Sequence, residues 1–193
     1  MAVIGILALQ GAFIEHEKMI RSLGADTVEI RNKGDLTHFD GLILPGGEST
    51  TQRKLLKEEG LYEPLKEALG KGLPVLATCA GMILLAKHLD NDTNPCFGTL
   101  PITVRRNAYG RQLGSFITTA DVKGLGPFRM NFIRAPYVVS AEPSVEILSV
   151  VDGRIVAVRY QNQLALAFHP ELGKDTRIHE AFLQRAEAFG KAH

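Results

Sequence analysis

Pro74-Val75-Leu76-Ala77-Thr78-Cys79-Ala80-Gly81-Met82-Ile83-Leu84-Leu85-Ala86-Lys87 is the stretch on which the fold turns. Residues 75–77 read as a short buried strand and residues 82–87 as the opening of an apolar helix, with a cysteine between them flanked by small residues. A strand that turns sharply into a helix through small residues holds its middle side chain clear of the backbone. That is the geometry of a nucleophile elbow, here x-Cys-x-Gly in place of the serine form. The helix that follows points its free N–H groups and positive dipole end at the sulfur, an arrangement that favours thiolate over thiol. Within this window alone a packed structural cysteine fits as well as a reactive one, because free Cys packs like a small hydrophobe.

Toward the N-terminus the same strand-then-helix texture repeats. Val3-Ile4-Gly5-Ile6-Leu7-Ala8-Leu9 is a continuous apolar run, as expected of a strand covered on both faces. Gln10-Gly11 turns it into a helix over about residues 12–23, with Phe13, His16, Ile20 and Leu23 near helical spacing. Gly24 closes that helix, and residues 27–30 form a second strand. Residues 41–44 form a third, which ends at Pro45-Gly46-Gly47-Glu48-Ser49-Thr50-Thr51, where Ser49 or Thr50 can cap the next helix. Residues 61–69 add another helical segment before the elbow strand. This alternation predicts an α/β fold with a mostly parallel sheet and helices on both faces. Beyond Lys87, residues 102–104, 115–119, 131–134, 137–139, 145–151, 155–160 and 164–168 read as short strands, the last three as a meander, and residues 175–189 as a closing amphipathic helix. No repeat, linker or low-complexity segment interrupts the chain, so residues 1–193 are expected to form one domain with a mixed sheet.

The bulk numbers exclude several classes. With 45% hydrophobic and 22% charged residues, the composition is that of an ordinary globular chain long enough to bury a core. A net charge of +1 supplies no field to attract nucleic acid or an anionic membrane. Two cysteines make no disulfide framework, so a reducing cytoplasm is expected. The apolar start at residues 1–9 lacks a basic n-region and reads as a strand rather than a signal peptide. No apolar run approaches the roughly 20 residues that span a bilayer. Asn91-Asp92-Thr93 fits a glycosylation sequon and is read as accidental.

A cysteine nucleophile needs a base, and the base needs an orienting group. Of six histidines, His16, His38, His88, His179 and His193 carry no partner pattern and are read as solvated, capping or terminal residues. His169 directly follows an apolar run, at a strand end of the kind where functional groups collect in open α/β sheets. Pro170 denies a helical continuation, so Glu171 projects to the same side and can orient the imidazole. Gly46 and Gly47, after a buried strand, offer backbone N–H groups that with Ala80 can form an oxyanion hole. Neither a Walker loop nor a G-x-G-x-x-G occurs, and neither cysteine has metal-ligand spacing, so no cofactor or metal is expected. Cys96 lacks the elbow context and is read as structural. A thiol at an elbow, a donor loop and a His-x-Glu pair together specify acyl transfer through a thioester.

These residues resemble the class I glutamine amidotransferase family, and within it the glutaminase subfamily that serves pyridoxal 5′-phosphate synthesis. Leu9-Gln10-Gly11, residues 42–51, Thr78-Cys79-Ala80-Gly81 and Phe168-His169-Pro170-Glu171 carry the broad match. Arg105-Arg106-Asn107 with Gly110-Arg111-Gln112, and Phe132-Ile133-Arg134-Ala135-Pro136, select the subfamily. The resemblance implies a flavodoxin-like three-layer αβα fold with an antiparallel C-terminal portion. It implies Cys79 as nucleophile, His169 as general base and acid, and Glu171 as its orienter. It implies that Gly47, Glu48, Ser49, Arg106, Ile133 and Arg134 contact L-glutamine, that Gly47 and Ala80 hold the oxyanion, and that Gln10 and Gly11 lie near an interface. It further implies a separate synthase subunit that receives the ammonia and stimulates the glutaminase. Ala77 stands where the family usually has glycine, which narrows the allowed backbone angles near the elbow. The remaining readings are a glutaminase of another pathway, such as histidine biosynthesis, and a non-catalytic thiol-sensing module of the same fold.

Overall fold

The computed structural model describes residues 1–107 and 114–192. In chain order its elements are β1 (Val3–Leu7), α1 (Phe13–Ser22), β2 (Asp26–Ile30), β3 (Gly41–Leu44), α2 (Ser49–Glu58), α3 (Tyr62–Gly70), β4 (Val75–Thr78) and α4 (Ala80–Leu85). There follow β5 (Ala86–Leu89), β6 (Leu100–Arg105), β7 (Ser115–Val122), β8 (Gly126–Ile133), β9 (Tyr137–Ala141), β10 (Glu146–Val151), β11 (Arg154–Tyr160), β12 (Gln163–Leu166) and α5 (Arg177–Ala192). Short 3-10 turns cover Lys33–Asp35 and Pro170–Leu172.

The main sheet runs β2-β1-β3-β4-β12-β11-β9-β6-β5, with β10 attached to β11, and β7 and β8 form a separate hairpin. Parallel pairing joins β2, β1, β3, β4 and β12, and antiparallel pairing takes over from β12 through β11 and β9 to β6. This is the expected mostly parallel sheet with an antiparallel C-terminal portion. Every residue of β3 and β4 is buried, which is why their sequences are unbroken apolar runs rather than alternating ones. α1 packs on β1 and β2, α5 on β3, and α4 on β4.

The last strand decides the position of the site. β12 returns from the far half of the chain and lies parallel to β4, with Leu166 opposite Thr78. The residues leaving both strands therefore emerge side by side at the same sheet edge. The Cys79 N–H donates to the Leu166 carbonyl at 2.8 Å and continues this ladder one step past β4.

Some local expectations needed correction. The helix after the elbow stops at Leu85, and Ala86–Leu89 is instead strand β5, paired with β6. All six residues of α4 are buried, so their run carries no period that marks where helix gives way to strand. β8 is longer than residues 131–134, beginning at Gly126, and it ends one residue before Arg134. The strand carrying His169 ends at Leu166 rather than Phe168. The α2 cap is neither Ser49 nor Thr50: Glu48 accepts from the N–H groups of Thr50 (3.1 Å) and Thr51 (2.8 Å).

Candidate active site

Cys79 sits at φ 49° and ψ −104°, a left-handed backbone that a non-glycine residue adopts only where the surroundings impose it. What imposes it is close packing behind the elbow. A Cβ on Gly81 would stand 2.0 Å from the Leu44 carbonyl oxygen, so α4 begins in contact with the end of β3. The helix behind Cys79 has six residues, shorter than the sequence implied, so its dipole is correspondingly weaker. The sulfur lies instead beside the His169 imidazole, which hydrogen-bonds it, and 3.9 Å from the Ile133 carbonyl.

His169 is anchored through its backbone. Its N–H donates to the Asn131 carbonyl of β8 at 2.8 Å, and the preceding Phe168 is fully buried against Phe128 and Phe132 of the same strand. Pro170 opens the 3-10 turn, and Glu171 projects back so that its Oε1 lies 2.6 Å from His169 Nδ1. Burial opposes charge on His169, but hydrogen bonds to Cys79 and Glu171 and the charges of both outweigh it and push its pKa up to about 10. Glu171 lies below the usual carboxylate range: burial pushes it up, but the facing histidines, His16 first and then the bonded His169, outweigh that.

The raised value has a definite pH window. A histidine whose folded pKa exceeds its unfolded 6.5 adds stability that is complete below about 6.5. That stability is lost as pH rises through about 10. Cys79→Ala removes the sulfur's hydrogen bond and charge, so the His169 imidazole should titrate well below 10 in that variant. A histidine NMR titration of the two proteins checks this; an unchanged midpoint would mean Glu171 alone sets the value.

Cys79 and His169 open onto a cavity of about 380 Å³ whose walls include Gln10, Gly11, Gly47, Glu48, Ser49, Arg106, Ile133 and Arg134. The residues singled out in the sequence thus share one space, with Glu171 behind His169 and Ala80 at the start of α4. Ala12, Gly46, Ile83 and Asn107 also line it. Gly110, Arg111 and Gln112 lie outside the described residues.

The donor loop is laced to the loop after β1. Ala12 N–H donates to the Gly46 carbonyl (3.0 Å), Glu48 N–H to Gln10 Oε1 (2.7 Å), and Gln52 Nε2 to the carbonyls of Gln10 (3.0 Å) and Pro45 (3.2 Å). With the Gly46 carbonyl held by Ala12, peptide planarity turns the Gly47 N–H to the opposite side, and no acceptor among the described residues takes it. Gly11 is required here: its φ is +106°, and a Cβ would stand 1.8 Å from the Gly46 oxygen. Across the cavity Arg106 bonds Asp92 (2.9 Å), Thr50 Oγ1 (3.0 Å) and Glu48 (3.3 Å). It is both an ion-paired side chain and a cavity wall. The Arg134 N–H donates to the Gly114 carbonyl, and its φ of 42° turns the chain out of β8 at the rim.

The histidine expectations divide. The His38 side chain is 76% exposed beside Asp40, and His88 is exposed, as anticipated. His16 and His179 are completely buried, contrary to their reading as solvated or capping residues. α1 and α5, from opposite ends of the chain, bring them together beneath Glu171. The usable signal for His16 was its place on the apolar stripe with Ile20. His193 lies outside the described residues.

The SNO glutamine amidotransferase family matches residues 6–188. The chain belongs to that family. Its relatives include the pyridoxal 5′-phosphate synthase subunit PdxT of Desulfitobacterium hafniense, 59% identical over 181 residues that span 93% of this chain and 91% of that one. The subunit PdxT of Methanocorpusculum labreanum is 56% identical over 182 residues, 94% and 96% of the two chains. A crystal structure described as a glutamine amidotransferase superposes with a TM-score of 0.90 at 42% identity, covering 95% of this chain and 98% of that one. A glutamine amidotransferase from Thermotoga maritima, at 20% identity and a TM-score of 0.62 over 96% and 84% of the chains, shares the fold. This SNO-family chain thus has the class I glutamine amidotransferase architecture.

Proposed function

We propose that this chain, as a single domain, is the glutaminase subunit of a pyridoxal 5′-phosphate synthase, hydrolysing L-glutamine to L-glutamate and ammonia. The observation that carries the reading is the Cys79–His169–Glu171 line, tightened by the 2.6 Å His169–Glu171 bond, at one wall of a cavity whose other walls carry backbone donors and two arginines. Close similarity to proteins named as that subunit supports the pathway.

The chemistry follows from the groups present. With the Cys79 thiol proton taken by His169, the sulfur attacks the side-chain amide carbon of glutamine, and the C=O electron pair moves to oxygen, where the Gly47 and Ala80 N–H groups receive the oxyanion. His169 hands its proton to the departing nitrogen, the C–N bond breaks, and ammonia leaves a γ-glutamyl thioester. His169 then takes a proton from water, hydroxide attacks the thioester, and the C–S bond breaks to release glutamate. Glu171 keeps the imidazole in the orientation both transfers need. Arg106 and Arg134, with Glu48, Ser49 and the Ile133 backbone, hold the α-amino and α-carboxylate end; an arginine fork suits the carboxylate.

The ammonia passes to a separate synthase subunit that builds pyridoxal 5′-phosphate. Docking of that subunit near Gln10 and Gly11 acts on the donor loop through the Ala12–Gly46 and Gln10–Glu48 hydrogen bonds, so stimulation by the partner is expected. Two free cysteines, and no helix among the described residues long and apolar enough to cross a membrane, fit a cytoplasmic site of action. Glutamine hydrolysis is measured with and without the cognate synthase subunit: turnover should rise markedly in the complex, and equal turnover would overturn the coupling.

A further inference from the structure

Behind the triad lies a buried polar cluster that the thioester chemistry leaves unused. His16 of α1 points Nε2 at two oxygens, Thr78 Oγ1 at 3.2 Å and Glu171 Oε2 at 3.5 Å. Its Nδ1 is 3.0 Å from His179 Nε2 on α5. Thr78 Oγ1 in turn accepts the Gly46 N–H at 3.1 Å. All four side chains are buried, and Glu171 Oε2 makes no hydrogen bond of its own, so that His16 Nε2 faces it at 3.5 Å without bonding it. Among the described residues no group of three or more His, Cys, Asp or Glu is arranged to hold a metal ion, so the cluster is not a metal site.

The tautomers follow from counting donors and acceptors. A buried carboxylate oxygen facing a ring nitrogen needs a hydrogen on that nitrogen, because two opposed lone pairs in a dry interior repel. Nε2–H on His16 meets that need and also reaches Thr78, whose oxygen has a lone pair left after taking the Gly46 N–H. His16 Nδ1 is then a bare acceptor, and His179 Nε2–H fills it. The ring nitrogen left over is the bare Nδ1 of His179, which is the atom found without a partner. The opposite tautomers would bury an unpaired N–H at that position and aim a lone pair at Glu171, a costlier arrangement. The groups facing His16 are Glu171 and His169 from the turn after β12, Thr78 from β4, His179 from α5 and Glu15 from its own helix. Burial dominates them and lowers its pKa, and it drives His179 down to about 3, so both rings are neutral donors and acceptors at ordinary pH.

We propose that His16 is a positioning residue of the triad: its Nε2–H, bonded to Thr78 and aimed at the second oxygen of Glu171 at 3.5 Å, steadies the carboxylate electrostatically from behind, and His179 fixes that tautomer. The inference rests on the glutaminase reading above and deepens it. With Oε1 bonded to His169 and Oε2 facing His16 at 3.5 Å, rotation of the Glu171 carboxylate is disfavoured, which helps the imidazole keep its aim through both proton transfers. Thr78 ties the same histidine to the Gly46 N–H, so the base and the donor loop share one buried support.

The test uses two variants, each in complex with the synthase partner. His16→Phe keeps a ring but removes both nitrogens; His16→Gln carries an amide N–H at similar reach. His16→Phe should lower kcat about 10- to 100-fold, the usual cost of losing an outer hydrogen-bond partner, with little change in KM. His16→Gln should recover most of that loss. In the unmodified protein, ¹⁵N NMR should find His16 protonated at Nε2 and bare at Nδ1. Full kcat in His16→Phe, equal losses in both variants tracking an equal fall in Tm, or a His16 protonated at Nδ1 would each overturn the proposal. The tautomer measurement needs no variant and no turnover. Absence of hydrolysis by the unmodified complex would sink the glutaminase reading instead.

Discussion

On the proposed thioester route, replacing Cys79 with alanine should reduce ammonia release from glutamine to background, a fall of about 10³-fold or more, because that route cannot run without its nucleophile. The protein should stay folded. Alanine keeps the Cβ and the same left-handed backbone, and the side chain loses only the sulfur at the cavity wall, with its contacts to His169 and the Ile133 carbonyl. Binding to the synthase subunit should therefore persist, as read by co-elution of the two chains. A variant that still released ammonia at the original rate would remove Cys79 from the chemistry, whatever its geometry. One that failed to bind the synthase would show that the elbow shapes the interface as well.

Gly46→Ala should be nearly as damaging, although the residue has no side chain to contribute. A Cβ there would stand 2.4 Å from His169 Cε1, 3.1 Å from its Nδ1 and 3.4 Å from the Cys79 Cβ. The ring has nowhere to retreat. Its backbone is tied to Asn131, and Glu171 holds Nδ1 at 2.6 Å. The added methyl therefore moves the imidazole or the donor loop, and a displacement of about 1 Å from a reacting geometry costs on the order of 10²-fold. We expect kcat to fall by at least that factor and stability to fall by about 1–3 kcal/mol from overpacking. Steady-state kinetics of the complex and a thermal melt check both. Unchanged kcat would mean the loop yields freely, contrary to the lacing through Ala12, Gln10 and Gln52.

Most of the candidate site was legible in the chain because its members sit at strand ends with local signatures. Cys79 follows an apolar strand and precedes Ala80-Gly81; His169 and Glu171 flank a proline; Gly46-Gly47 ends another strand. Each signature depends on backbone geometry within a few residues, which local sequence encodes. Glu48 shows where that reading fails. A carboxylate two residues before Thr50 competes for the same N–H groups as Ser49 or Thr50, and only the folded loop decides that it wins the cap and also meets Arg106.

The histidines mark the other limit. His16 and His179 are separated by 163 residues, and no spacing rule relates them. Whether each meets solvent or the other depends on how α1 and α5 pack around the sheet. The short α4 is similar: a uniformly buried apolar run has no period, so its division into helix and strand awaited the pairing of β5 with β6.

The sequence by itself determined the alternating α/β order, the elbow at Cys79, the donor loop at Gly46 and Gly47, and the His169-Pro170-Glu171 turn. All of these are set by apolar runs and turn residues within one element. Only the tertiary structure decided that β12 returns beside β4 with Leu166 opposite Thr78, so that His169 meets Cys79, and that a pair of histidines sits buried behind Glu171. Those contacts join distant parts of the chain, and they exist because burying the apolar faces of the sheet and its helices draws the polar groups in with them.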